Sequence, residues 1–147
     1  MKISKFLKNK DGVAGLEFAI VGPLLILLAI GSIEFGLLFY NKQVITNACR
    51  EGARAGIVRV LAGFSDDDVA LRVIVKNYCK DRLIDFVGNT SLTDADILLS
   101  SRTATFGSDF SVKVTYTYKF LVPALFGLGT TTSISALSLM KMEQEPG

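Results

Sequence analysis

Histidine is absent from this sequence, and only two cysteines and three prolines occur among its 147 residues. The first absence removes at once the commonest general base and the commonest metal ligand. No glycine-rich phosphate loop follows a strand pattern, and no pair of carboxylates is set apart by spacing. Charge of one sign is also scarce: 16 basic residues against 14 acidic ones leave a net +2, too little to argue for nucleic acid. These gaps leave no active site to assign. They point to a chain that is not an enzyme, with no cofactor, no metal, no small-molecule substrate and no nucleic-acid partner. The length suits one domain with an added segment, and hardly two domains.

What the sequence has in excess is apolar residues. Half of it is hydrophobic, and the mean hydropathy is +0.42, high for a soluble domain. The excess sits at residues 18–40, where only Glu34 interrupts an apolar run. About 23 residues make roughly 34 Å of helix, enough to cross a hydrocarbon core of about 30 Å. Lys2, Lys5, Lys8 and Lys10 precede the run, offset only by Asp11. Positive residues stay on the cytoplasmic side, so residues after Tyr40 are expected to be exported. A cleaved secretory signal shares the basic start, and Ala29, Ile30 and Gly31 could serve as its cleavage site. The run continues past that point, however, and an acidic Glu17 is foreign to a signal peptide. A core helix of a soluble protein would need a polar face, which this run lacks.

Glu17 stands at the start of the membrane segment. A carboxylate at mid-membrane costs about 2.5–3.5 kcal/mol, and less near the interface. One reading leaves it at the headgroups, complementing the positive end of the helix dipole. The surrounding residues open another. Gly12, Val13, Ala14, Gly15, Leu16, Glu17 and Phe18 follow a short lysine-rich leader. This order resembles the processing site of type IV pilins and pseudopilins. The resemblance implies a prepilin peptidase cutting between Gly12 and Val13, with Glu17 fifth in the product. The new α-ammonium at Val13 could then pair with Glu17 of a neighbouring subunit, since paired charges cost far less than lone ones in lipid. Val13 itself departs from the phenylalanine or methionine common at that position in major pilins.

The wider pattern is similar to the TadE-like family of tight-adherence (Flp-type IV) pilus systems. The matching elements are Glu17-Phe18-Ala19, Pro23-Leu24-Leu25, Glu34-Phe35-Gly36, Glu51-Gly52-Ala53-Arg54 and a late Met140-x-x-Glu143. The resemblance covers roughly the first 60 residues, and the remainder only by its strand pattern. It implies a minor pilin or pseudopilin whose partners are the membrane, other pilin subunits, the prepilin peptidase, and an assembly platform with its cytoplasmic ATPase. An uncut, membrane-anchored envelope scaffold of the same machinery is the alternative. A membrane-tethered enzyme ranks last.

Beyond residue 40 the helix is expected to continue to about residue 62. Val44, Ile45, Ala48, Cys49, Gly52, Ala53, Gly56, Ile57 and Val60 form a stripe rich in small residues. It can pack on its own domain or on another subunit. Pro23 lacks the N–H that would bond Ala19 and is expected to kink or loosen the membrane half. Gly63 and Phe64 should end this helix, and Ser65 should cap a second one running to about Val87, before Gly88 and Asn89. Asp66, Asp67 and Asp68 lack the alternation of a calcium loop. Phe110, Val112, Val114, Tyr116, Tyr118 and Phe120 alternate with polar residues and predict a strand with one apolar face. Strands near 97–105 and 131–142 would flank it, the first joined by a hairpin at 106–109. The apolar connection at 120–128 could pack under the sheet, lie on the membrane or meet a partner.

Cys49 and Cys79 both fall on the exported side, where an even pair favours a disulfide; two buried free thiols are the alternative. Each is expected near the centre of its helix. The overall expectation is an α+β, pilin-like fold: a basic leader at 1–12, a long helix at 13–62, and a domain at 63–147 holding a second helix and a three-stranded antiparallel sheet.

Overall fold

The computed structural model describes residues 10–61, 68–86, 91–100, 107–127 and 129–141. The chain divides into two compact units, Met1–Gly36 and Leu37–Gly147. Helix α1, Lys10–Leu61, runs through 52 residues and continues past Pro23, so the proline removes one hydrogen bond without ending the helix. In the first unit nearly every apolar side chain of α1 is exposed, Phe18, Ile20 and Ile26 among them. Ser32 Oγ donates to the Leu28 carbonyl at 2.8 Å, hiding its hydroxyl within the helix.

The second unit is α+β. It comprises the later part of α1, helix α2 (Asp68–Lys80), a 3₁₀ turn (Asp94–Asp96), strand β1 (Ile97–Leu99), strand β2 (Asp109–Lys119), a single-turn helix α3 (Val122–Leu125) and strand β3 (Thr131–Lys141). The sheet has the order β1-β2-β3 and is antiparallel throughout. Its register sets Ile97 opposite Val114, and Asp109 to Lys119 opposite Lys141 to Thr131. The alternation of β2 does what a period of two dictates: Phe110, Val112, Val114, Tyr116 and Tyr118 are buried, while Lys113 and Thr117 face out. They meet Val44, Ile45, Ala48, Cys49 and Ala53 of α1, and Leu71, Val75 and Cys79 of α2, in one core.

The small-residue stripe of α1 serves this core. A Cβ on Gly52 would lie 2.6 Å from Val75 Cγ2, and one on Gly56 would collide with Cε1 of the Phe110 ring. Glycine is what lets α1 approach α2 and β2 so closely. On the opposite flank, Arg72 reaches the carbonyls of Asp94 and Ile97, and Lys76 pairs with Asp94 at 2.7 Å. Thr93 and Asp96 close a reciprocal box on the 3₁₀ turn, with Thr93 N and Oγ1 at 2.8 and 2.7 Å from Asp96 Oδ2.

Several boundaries differ from the sequence expectation. Helix α2 stops at Lys80, seven residues before Val87. The amides of Arg82 and Leu83 both fold back on the Cys79 carbonyl, at 3.1 and 3.0 Å. Leu83 then turns into the core, and the backbone of Ile84 is taken by a side chain of α1. Asn41, fully buried, donates from Nδ2 to the Ile84 carbonyl at 2.5 Å and accepts the Ile84 N–H on Oδ1 at 3.0 Å. One amide side chain thus acts as a strand partner for one residue, and a helix could not supply that geometry. Strand β1 spans three residues and β2 starts at Asp109, while the connection after β2 contains α3. Gly63, Phe64, Ser65, Asp66, Asp67, Val87, Gly88 and Asn89, with the proposed hairpin residue Phe106, lie outside the described residues.

Asn41→Ala removes both partners of a part-buried backbone unit. The variant is expected to lose about 2 kcal/mol of stability, read as a lower thermal midpoint for the second unit in detergent. An unchanged midpoint would show that water replaces the amide without cost.

Candidate functional site

The candidate site is a surface, the apolar, exposed part of α1. Among the described residues, one helix is long and apolar enough to cross a membrane. Each predicted site residue can be placed on it. Gly12 and Val13 lie within the first turn of α1, so the peptide bond expected to be cut is helical rather than extended. The first turn of any helix lacks intrahelical partners for its N–H groups and frays readily. Glu17 is exposed, with Ala14 three residues before it and Val21 four after it on the same face, and Phe18 next to it in the chain. Its carboxylate therefore projects from an apolar surface. Pro23 is also exposed on this stretch.

Two polar residues of α1 behave in ways the sequence did not announce. Glu34, which looked like an interruption of the apolar run, is only 2% exposed. Asn41, two helical turns later, is the fully buried residue that holds Ile84. Their seven-residue spacing was the available signal, since two polar residues on one helical stripe next to a membrane segment need partners.

The cysteines correct an expectation. Both are free, buried thiols, and no Cys49–Cys79 disulfide is formed. Cys79 also lies in the last turn of α2 rather than at its centre. Cys49 Sγ donates instead to the Ala136 carbonyl of β3 at 3.4 Å. Burial pushes the Cys49 thiol up to about 11, against the smaller opposing effects of the Val114 backbone and Lys42. Burial, reinforced by nearby Cys49, pushes Cys79 up to about 12. Thiol–disulfide exchange needs a thiolate, and this environment withholds it.

At pH 8 the folded protein is therefore expected to resist alkylation at both cysteines and to react at both once denatured, counted by intact mass. The unfolded chain ionises near the ordinary value of 9.0. It therefore binds fewer protons than the folded one between about pH 9 and 11–12. This contribution to stability is full below about pH 9 and is lost as pH rises through that window. Fast native labelling of Cys79 would show its site to be open.

Elsewhere the chemistry is structural. Tyr116 donates its hydroxyl to Asp85 Oδ2 at 3.1 Å, and burial, with the Asp85 carboxylate beside it, raises its pKa. Lys76 holds the exposed Asp94 below its ordinary pKa, first through their hydrogen bond. Among the described residues, no cluster of three or more histidine, cysteine or acidic side chains could hold a metal ion. A hollow of about 280 Å³ is lined by Lys76, Asn77, Cys79, Lys80, Ser91 and Leu92, and the Cys79 thiol at its edge is buried and kept protonated.

Comparison with curated proteins and with solved structures returns no match. Comparison with protein families returns a match over part of the chain. Residues 12–54, which carry Glu17, Pro23, Glu34 and most of the small-residue stripe, match the model of the TadE-like protein family, the family that the N-terminal motifs resemble.

Proposed function

We propose that this chain is a minor pilin or pseudopilin of a tight-adherence (Flp-type IV) pilus or a related secretion filament. It enters the inner membrane with its N-terminus cytoplasmic and its second unit outside. A prepilin peptidase trims it between Gly12 and Val13, and the apolar part of α1 bundles with other pilin subunits on the assembly platform. Glu17 neutralises the α-ammonium of a neighbouring subunit and so fixes the axial register. The role is structural, not catalytic. One observation carries this reading: within the TadE-like stretch, Glu17 stands exposed on an otherwise apolar helical surface. A carboxylate in that position is unfavourable in lipid until a cation joins it.

The second reading is an uncut, anchored scaffold of the same machinery, favoured by the helical backbone at Gly12 and Val13. The two are separated by the mass of the protein purified from a strain that makes the pilus. An N-terminus at Val13 supports the pilin, and an intact leader supports the scaffold.

A further inference from the structure

The second unit has two poles, and contacts along α1 order them. Phe110 of β2 lies at Gly56, Val112 at Gly52, and Ala136, which pairs with Val114, at Cys49. Two residues of strand advance about 6.6 Å and four of helix about 6 Å, so β2 and α1 run antiparallel in step. Continued at that pace, the end of β2 and the connection to β3 reach the level of residues 38–42. The chain after α2 arrives at the same level, because Ile84 is held by Asn41. This is the pole at which α1 enters the second unit from the apolar run.

The exposed aromatic residues gather there. Phe39 and Tyr40 on α1 are 67% and 44% exposed, Phe86 after α2 is 45%, and Phe126 after α3 is 61%. Ile84, 46% exposed, lies among them. Among the described residues of this unit, no other phenylalanine or tyrosine is exposed. The other exposed aliphatics lie elsewhere, with Val69 at the far pole and Leu98, Leu137 and Leu139 on the outer sheet face around Lys113. Arg82, stacked 4.4 Å over the Tyr78 ring, and Lys119, at the end of β2, supply positive charge at the same pole.

Resting on the reading of α1 as membrane-spanning, we propose that this pole is a lipid-contacting rim. Phe86 and Phe126 enter the headgroup and upper acyl region of the leaflet from which α1 emerges, level with Phe39 and Tyr40. Tyrosine suits the headgroup level, phenylalanine gains by burial at the headgroup–acyl boundary, and Arg82 and Lys119 are attracted to any anionic lipid there. The second unit therefore lies against the bilayer before assembly instead of standing off it.

The chain has no tryptophan, so single insertions report without background. Full-length Phe126→Trp, Phe86→Trp, Ile26→Trp and Val69→Trp would be reconstituted in phosphatidylglycerol–phosphatidylethanolamine vesicles. Some vesicles would carry lipids brominated near the headgroup end of the acyl chain, and others lipids brominated near its terminus. Phe126→Trp and Phe86→Trp are expected to lose more emission to the shallow bromines than to the deep ones. Ile26→Trp should show the reverse order, and Val69→Trp should lose none. Quenching of Ile26→Trp alone would overturn the rim and leave the spanning helix intact, including where iodide also fails to reach the indole of the Phe126→Trp variant because protein covers it. Quenching at none of the four sites would overturn the membrane reading itself.

Discussion

Gly56→Val is expected to abolish the compact fold of the second unit, and Gly56→Ala to destabilise it by about 3 kcal/mol, at the upper end for overpacking a core. Carbon atoms attract at about 3.5–4.0 Å. A Cβ at position 56 would lie 2.8 and 2.9 Å from Cδ1 and Cζ of Phe110, and closer still to Cε1. The ring has little room to swing aside, because Phe110 is fully buried in the core that β2 shares with α1. Helix propensity acts in the opposite direction, favouring alanine by about 1 kcal/mol, so a net loss isolates the packing effect. Gly36, where a Cβ meets nothing within 4 Å, is the internal control and should tolerate alanine. Thermal unfolding in detergent, followed by near-ultraviolet circular dichroism, reads both. Phe110→Leu, harmful alone, should recover part of the stability of Gly56→Ala in a double-mutant cycle. A Gly56→Ala protein with the parental midpoint would show that α1 and β2 separate without cost.

Glu17→Leu should leave membrane insertion intact, or improve it, while incorporation into pili falls roughly a hundredfold. The two readouts diverge because the carboxylate acts differently in each. For a lone helix in lipid it is a burden, and leucine removes that burden. In the proposed bundle it neutralises the α-ammonium of another subunit. Deleting one partner strands the other, at about 3 kcal/mol or more, which corresponds to that hundredfold. Membrane fractionation measures the first effect, and the amount of this chain in sheared pili relative to the membrane measures the second. Glu17→Asp keeps the charge on a shorter stem and should fall between. A Glu17→Leu chain that inserts and assembles like its parent removes charge pairing from the proposal.

The parts of this fold that were legible in the sequence are those set by one repeating environment. Strand β2 is the clearest, since five alternate residues from Phe110 to Tyr118 face one core and their neighbours face away from it. The long apolar helix was legible for the same reason, because one class of residue recurs along most of its exposed length. The small-residue stripe announced close packing, but not its object. Only the position of Phe110 and Val75 shows that its glycines serve the chain's own core. What could not be read was set by single long-range contacts. The end of α2 depends on Asn41, 43 residues upstream of the backbone it binds, and no local signal near Lys80 marks it. The cysteines were expected to bond because of their compartment and number, whereas their reactivity is set by burial that only the assembled core creates. At the candidate site, the position of Glu17 on the helix was plain from spacing, and the burial of Glu34 was not.

The line of contacts along α1 has a mechanical consequence. Asn41 holds Ile84, Lys42 reaches the Ser135 carbonyl, Cys49 the Ala136 carbonyl, and Gly52 and Gly56 seat Val75 and Phe110. These attachments succeed one another along about four turns of helix. Tension drawn along the helix axis therefore loads them side by side, in shear, and none can be peeled away first. A domain attached through a single loop would yield one contact at a time. Here the load divides among them, so tension on the helix is shared at once by every element packed against it.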